Sequence, residues 1–250
     1  MKIKKILISQ PQPTTPKNPY ADLAKKYNLQ IDFRQFIRIE GLTVEEFKLQ
    51  KIRIAEYTAI VFNSKTGIDH FFRICKELKI VLSEKLNYFC ISDSVANYLQ
   101  KYAEHRRNHI FFPKGQQSKD NVLWAKMDKR PNEKYLFVLS NISQVDFFTL
   151  KFKEKKYTYS QGIFYRTLNS DMSAVPINDY QLLAFFSPQG IKSLQANFPN
   201  FQQGSTLIAA FGKSAAAAVT EAGLRLDIAA PTSECLSMPA AIEQYINKLK

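Results

Sequence analysis

The chain has 250 residues, and 35 Lys and Arg against 22 Asp and Glu leave a net charge of +13. With 45% hydrophobic and 23% charged residues it has the composition of a folding globular chain, which argues against a disordered tail. No uncharged apolar run approaches the ~20 residues needed to span a bilayer, and Cys75, Cys90 and Cys235 lack the spacing of a disulfide framework or a thiolate metal site.

In chain order, the basic start Met1–Lys5 is followed by too few apolar residues for a secretory signal, so a cytoplasmic protein is expected. Short, two-sidedly apolar runs predict strands at Lys5–Ser9, Ala59–Asn63, Tyr88–Ser92, His109–Phe112, Tyr135–Leu139, Leu182–Ser187, Thr206–Phe211 and Leu226–Ala229. Between them, amphipathic periodicity predicts helices over segments such as Gly67–Leu78, Val95–Ala103 and Ala215–Ala222. This alternation predicts α/β architecture with parallel sheets. Two half-polar, β-prone segments break it, Leu29–Gly41 and Thr158–Leu168, and they suit a pair of antiparallel connectors better than central strands. The first runs into a helix start at Thr43 with Glu46 three residues on, the pattern of a capping box.

A repeat flanks the second connector. Ile60-Val-Phe-Asn-Ser64-Lys-Thr-Gly67 parallels Leu183-Ala-Phe-Phe-Ser187-Pro-Gln-Gly190 at an offset of 123, and Cys90-Ile-Ser-Asp-Ser94 parallels Ala210-Phe-Gly-Lys-Ser214 at an offset of 120. Two matches in the same order predict two similar α/β domains. In open α/β sheets ligands bind beyond the carboxyl ends of the strands, where helix N-termini favour anions. The candidate anion-binding residues are therefore Asn63, Ser64, Lys65, Thr66, Ser92, Ser94, Ser187, Gln189, Gly212, Lys213 and Ser214. Ser64, Ser94, Ser187 and Ser214 also read as plain N-caps, a purely structural role worth ~1 kcal/mol each.

The positive charge suits nucleic acid, an anionic membrane surface or a polyanionic small molecule, or serves solubility alone. Its clusters, at Lys2-Lys4-Lys5, His105-Arg106-Arg107 and Lys151-Lys153-Lys155-Lys156, match no nucleic-acid-binding motif, and the last reads as the solvated end of a helix. No GxGxxG, GxxxxGK[ST] or GxSxG is present, and His70, His105 and His109 lack metal-ligand spacing. His105 and His109 read as a solvated helix end, Cys90 as a buried small hydrophobe. No nucleotide cofactor or metal is expected.

At its strand-to-helix corners the chain resembles the uroporphyrinogen-III synthase family. The resemblance rests on Phe62-Asn63-Ser64 and Phe185-Phe186-Ser187-Pro188, on the connector Phe164-Tyr165-Arg166-Thr167, and on Ala210-Phe211-Gly212-Lys213-Ser214-Ala215-Ala216 followed by Ala222-Gly223-Leu224 and Pro231-Thr232. The chain departs from the family pattern at Ser92, in place of a glycine, at Ala215, in place of a hydroxyl residue, and at Ser140-Asn141-Ile142, where many members have glycine and arginine. The resemblance implies two α/β domains, one of residues 1–30 plus 170–250 and one of 43–156, joined by linker strands 31–42 and 157–169. It also implies a cofactor-free lyase that dehydrates and cyclises hydroxymethylbilane, a polycarboxylate linear tetrapyrrole, with inversion of ring D, and acts as a cytoplasmic monomer without nucleic-acid or membrane partners. Tyr165 would lie at the cleft wall as the catalytic acid, since a phenol is protonated at neutral pH. A plain strand tyrosine packing its ring is the structural alternative for that residue. A non-catalytic two-domain module binding an anionic small molecule stays open beside the enzyme.

Overall fold

The computed structural model describes residues 3–14, 18–102, 108–113, 119–141 and 146–249, which leaves His105-Arg106-Arg107 and Ile142 outside the described residues. By internal contacts the chain divides into a first unit, Met1–Arg38 with Leu168–Lys250, and a middle unit, Ile39–Thr167.

The first unit contains β1 (Lys5–Ile8), α1 (Pro19–Tyr27), β2 (Gln30–Phe33), β9 (Leu182–Phe185), α7 (Pro188–Asn197), β10 (Leu207–Phe211), α8 (Lys213–Glu221), β11 (Ile228–Ala230) and α9 (Met238–Lys248). Its five strands lie in the order β11-β10-β9-β1-β2, and every neighbouring pair is parallel. Ile6, Leu7 and Ile8 are each 1% exposed or less, because a central parallel strand is covered on both faces. Alternate side chains supply two cores. Ile6, Ile8, Leu182 and Ala184 pack with Leu23 of α1 and Ile242 of α9, whereas Leu7, Leu183 and Phe185 pack with Leu194 of α7 and Val219 of α8.

Between β2 and β9 the chain forms β3 (Ile37–Gly41), α2 (Val44–Leu49), β4 (Ala59–Phe62), α3 (Lys65–Glu77), β5 (Asn87–Cys90), α4 (Asp93–Leu99), β6 (Ile110–Phe111), α5 (Lys119–Asp128), β7 (Lys134–Ser140), α6 (Asp146–Glu154) and β8 (Thr158–Asn169). These strands form a six-stranded sheet in the order β3-β8-β7-β4-β5-β6. One face, with Ile60, Phe62, Tyr88, Leu136 and Val138, is covered by Ile68, Phe71 and Ile74 of α3 and Leu99 of α4. The opposite face, with Val61, Phe89, Tyr135 and Phe137, is covered by Leu123, Trp124 and Met127 of α5 and Phe152 of α6. Helix α6 ends at Glu154 with Lys151 and Lys153 in its last turn, and Cys90 is fully buried, its thiol pushed up to about 12 by desolvation.

The repeat recognised in the sequence occupies equivalent places in the two sheets. Strands β4 and β9 are each followed by a helix capped by a serine, and β5 and β10 lie on the corresponding side. On the other side stand β7 then β8 in the middle unit, and β1 then β2 in the first unit. The sheets thus share one spatial order with the chain cut at different points, since β7 and β8 follow their repeat whereas β1 and β2 precede theirs.

The connector segments differ from expectation. Leu29–Gly41 is not one strand: Gln30–Phe33 pairs parallel with β1 as an edge strand of the first unit, and only Ile37–Gly41 joins the second sheet. Likewise Thr158–Ile163 is built into that sheet, parallel to β7. Antiparallel pairing is seen where Leu42 N–H donates to the Phe164 carbonyl at 3.0 Å and Ser170 N–H to the Phe36 carbonyl at 2.9 Å, partners that advance in opposite chain directions. The boundary between units falls within β3 and β8, between Arg38 and Ile39 and between Thr167 and Leu168, inside the segments 31–42 and 157–169.

Candidate functional site

Strand order selects the place to look. In a doubly wound sheet the crevice opens at the carboxyl ends of the two strands whose following helices lie on opposite faces. In the middle unit these are β4 and β7, and the residues just beyond them are Asn63-Ser64 and Asn141.

Ser64 is the N-cap of α3, with extended backbone (φ −153°, ψ 156°), and its Oγ accepts the Gly67 N–H at 2.9 Å. The same Oγ lies 2.9 Å from the Tyr165 hydroxyl, and either can be the donor. With one lone pair taken by the backbone, the serine can still donate to or accept from the phenol, and where it donates, the phenol hydrogen is left for a further acceptor. Asn63, one residue earlier, has a buried Oδ1 with no hydrogen-bond partner among the described residues. Lys65 and Thr66 open α3, and the Lys65 ammonium stands 5.7 Å from the Tyr98 ring centroid.

Tyr165 reaches Ser64 through an irregularity in β8. Leu139 pairs with Ile163 but Ser140 pairs with Tyr165, so one residue of β8, Phe164, is left over. Such a bulge breaks the alternation of side chains and re-aims the residues after it. Phe164 and Tyr165, neighbours that would otherwise face opposite ways, consequently lie in one core, and Tyr165 is 6% exposed. Phe164 fills the space beside Phe47 and Phe71, at centroid distances of 4.8 and 5.6 Å. Beyond the bulge, the Asn141 side chain accepts the Thr167 N–H at 2.8 Å and ties the end of β7 to β8.

Tyr165 also stacks on His70 of α3, with ring centroids 5.4 Å apart and planes 18° from parallel. Arg73 Nε donates to His70 Nδ1 at 3.3 Å, and its Nη2 to the Leu42 carbonyl at 2.6 Å. Burial, then the Arg73 guanidinium, holds the imidazole below its ordinary pKa, while Asp69 opposes them. The next residue along β8, Arg166, is 2.7 Å from Glu46, whose side chain completes the capping box on Thr43. Glu46 is held below the usual carboxylate range by the Thr43 backbone N–H and by Arg166.

The other candidates divide by unit. In the middle unit Ser92, not Ser94, caps α4: its Oγ accepts the Val95 N–H at 3.3 Å, and Ser94 is an exposed residue of the first turn. In the first unit Ser187 caps α7 and accepts the Gly190 N–H at 3.2 Å, and Gln189 donates to the Asn169 side chain at 2.9 Å. Gly212, not Ser214, caps α8, with φ +90° and no side-chain cap, while Lys213 and Ser214 are exposed in the first turn. The expectation that Ser94 and Ser214 are caps is thus corrected by two residues in each case. An N-cap stands outside the helix with non-helical backbone, and Ser94 and Ser214 are already helical.

In the middle unit Asn63, Ser64, Lys65 and Thr66 follow the end of β4, with Tyr165 on Ser64, and Ser92 and Ser94 follow the end of β5. The first unit gathers Ser187 and Gln189 at the end of β9, and Gly212, Lys213 and Ser214 at the end of β10. Sequence reasoning missed His70, Arg73 and Gly41. The available signal was periodicity, since Gly67, His70, Phe71 and Ile74 follow one face of α3.

A model of the family described as Uroporphyrinogen-III synthase HemD matches residues 19–238. Among solved structures, a mutant uroporphyrinogen III synthase of Thermus thermophilus aligns at 15% identity with a TM-score of 0.64, covering 98% of this chain and 98% of that one. The uroporphyrinogen-III synthetase of Helicobacter pylori 26695 aligns at 14% identity with a TM-score of 0.63, covering 98% of this chain and 100% of that one. At such identities the likeness speaks for the fold. No curated protein matches significantly.

Proposed function

The chain belongs to the uroporphyrinogen-III synthase family, and from that premise we propose that the strand-end crevice of its middle unit, centred on Tyr165 and Ser64, carries the chemical step. The activity is the dehydration and cyclisation of hydroxymethylbilane with inversion of ring D, a lyase reaction of tetrapyrrole and haem biosynthesis. Loss of the hydroxyl from ring A leaves an electrophilic azafulvene; attack by the substituted carbon of ring D, fragmentation and reclosure give the type III isomer and one water. No external oxidant or reductant enters this balance. Unassisted closure gives isomer I, so the protein's main task is to control the conformation of its substrate.

The observation that carries the assignment is the 2.9 Å contact between Ser64 and Tyr165. A serine that accepts from Gly67 and donates to the phenol oxygen leaves the phenol hydrogen to protonate the departing hydroxyl. Each unit by itself offers helix starts to substrate carboxylates: Ser64-Lys65-Thr66 and Ser92–Ser94 in one, Ser187–Gln189 and Gly212–Ser214 in the other. The net charge of +13 favours the same polyanion. The family reaction has one polycarboxylate substrate, and among the described residues no helix is long and apolar enough to cross a membrane. On these grounds we extend the reading to a cytoplasmic monomer without a nucleic-acid partner.

The test is to supply hydroxymethylbilane and separate the product isomers. Isomer III above the spontaneous rate is expected; isomer I alone at that rate would leave a two-unit anion-binding module. Tyr165→Phe should slow turnover by about 10- to 100-fold, the scale of one general acid, while still giving isomer III. Unchanged turnover would return Tyr165 to a packing role.

A further inference from the structure

Three residues of two elements, Gly41 of β3 and His70 and Arg73 of α3, lie together beside Tyr165 without belonging to the proton path. Strand β3 ends at Gly41, where an added Cβ would lie 2.6 Å from His70 Nδ1 and 2.8 Å from Arg73 Nη2, so a side chain there would have to displace these two groups. Arg73 is fixed at three points: the Leu42 carbonyl at 2.6 Å, Glu77 at 2.8 Å and His70 Nδ1 at 3.3 Å. His70 is thereby set with its ring nearly parallel to that of Tyr165. Within the core, the single side-chain hydrogen bond to Ser64 does not by itself fix the plane of the Tyr165 ring, and His70 lies flat against it.

We propose that His70 is a positioning residue, whose imidazole, confined by Gly41 and anchored by Arg73, holds the Tyr165 ring so that its hydroxyl stays on Ser64. This rests on the reading of Tyr165 as the acid. The charged and titratable groups around the imidazole are Arg73 and Asp69 of its own helix and Tyr165 of β8. Of the groups next to these, Glu77 binds Arg73, and Arg166 is taken up by Glu46 and Glu40. Arg73 Nε donates to Nδ1, so the neutral tautomer carries its hydrogen on Nε2. Protonation of Nδ1 would remove that bond and set two cations side by side, loosening the stack at acid pH.

Kinetics of the full chain with hydroxymethylbilane test this in a cycle of His70→Ala, Tyr165→Phe and the double variant, with His70→Phe as the conservative replacement. His70→Ala should lower kcat about 5- to 10-fold with KM within about twofold, and cost under about twofold once Tyr165 is Phe, the non-additivity of residues acting as a unit. His70→Phe, which keeps a flat ring and the packing, should restore most of the rate. The same loss in both backgrounds, a change confined to KM, or an unchanged kcat would overturn the proposal. A second measurement does not depend on turnover. With 13C-labelled tyrosine, the Tyr165 Cζ signal, assigned by its loss in Tyr165→Phe, should shift with a midpoint below pH 6.5 in the wild type, and His70→Phe should abolish that shift. If the wild type makes only isomer I at the spontaneous rate, the functional reading fails while this signal still decides the positioning; a Tyr165 signal indifferent to His70 overturns it.

Discussion

Gly41 shows how one missing side chain shapes this site. Gly41→Ala must push His70 or Arg73 aside, because both would stand within 3 Å of the new methyl. Overpacking of this kind costs about 1–3 kcal/mol, and urea denaturation should register a loss of that size together with a fall in kcat. Asn63 presents the opposite case. Its Oδ1 is buried without a partner among the described residues, an arrangement that costs about 1–3 kcal/mol unless a ligand satisfies it. Asn63→Ala should therefore leave stability within about 1 kcal/mol of the wild type, the lost packing offset by removal of the orphaned acceptor, while lowering kcat/KM. A large destabilisation with activity retained would show that Asn63 serves the fold and not the substrate. Asn63, Ser64 and Tyr165 could be singled out as candidates in the sequence, since each lies in a short segment with a local signature. The contacts of His70, Arg73 and Gly41 could not be, because they arise only when α3 and β3, separated in the chain by α2 and β4, are brought together.

Among the elements, the helix starts look alike in sequence and differ in what they hold. Ser64 and Ser187 cap α3 and α7 in the same way, each accepting the N–H three residues on. Ser187→Ala should thus cost about 1 kcal/mol of stability, the value of a cap, with less than about tenfold loss of activity. Ser64→Ala removes an equal cap and also the partner of Tyr165, so at a similar loss of stability its kcat should fall further, towards that of Tyr165→Phe. Equal activities for the two variants would separate Ser64 from the chemistry. Helix α8 departs from this pattern: Gly212 turns the chain at φ +90°, with no heavy atom within 4 Å of where a Cβ would stand. Gly212→Ala should cost about 1–2 kcal/mol through backbone strain alone, because there is no clash to relieve. Ser92, which stands where the family has glycine, keeps extended backbone (φ −152°) and caps with its side chain instead. The bulge at Phe164 has no such signature, because the extra residue is defined only against the register of β7.

On the scale of the whole molecule, charge and pH supply the tests. A protein of net charge +13 acting on a polycarboxylate should show KM rising with ionic strength and kcat nearly constant, as salt screens exposed charges beyond about 10 Å at 0.1 M. A KM indifferent to salt would remove long-range attraction from the account. Stability should fall towards acid in two stages. His70 is held below its ordinary value by burial, so as pH drops through about 6.5 the unfolded chain takes up a proton that the folded chain resists, and folding weakens. Glu46, Glu56, Asp128 and Glu243 are depressed by hydrogen bonds and ion pairs, and what they contribute is present above their unfolded pKa near 4 and lost below it. Denaturation curves at pH 7.5, 5.5 and 3.5 should separate the two stages, and His70→Phe should lack the first. What the sequence determined by itself is local or periodic: strands buried on both faces, the capping box at Thr43, the repeated strand–serine–helix corners and the excess of positive charge. Their signals lie within about ten residues of chain or in its summed composition. Tertiary structure alone decided that Leu29–Gly41 divides between two sheets, that β8 is built into the second sheet and bulged, and that His70 meets Tyr165. Each of these depends on which distant strand supplies the hydrogen bonds and which side chain fills the space beside it, a free energy shared between segments remote in the chain and written in neither.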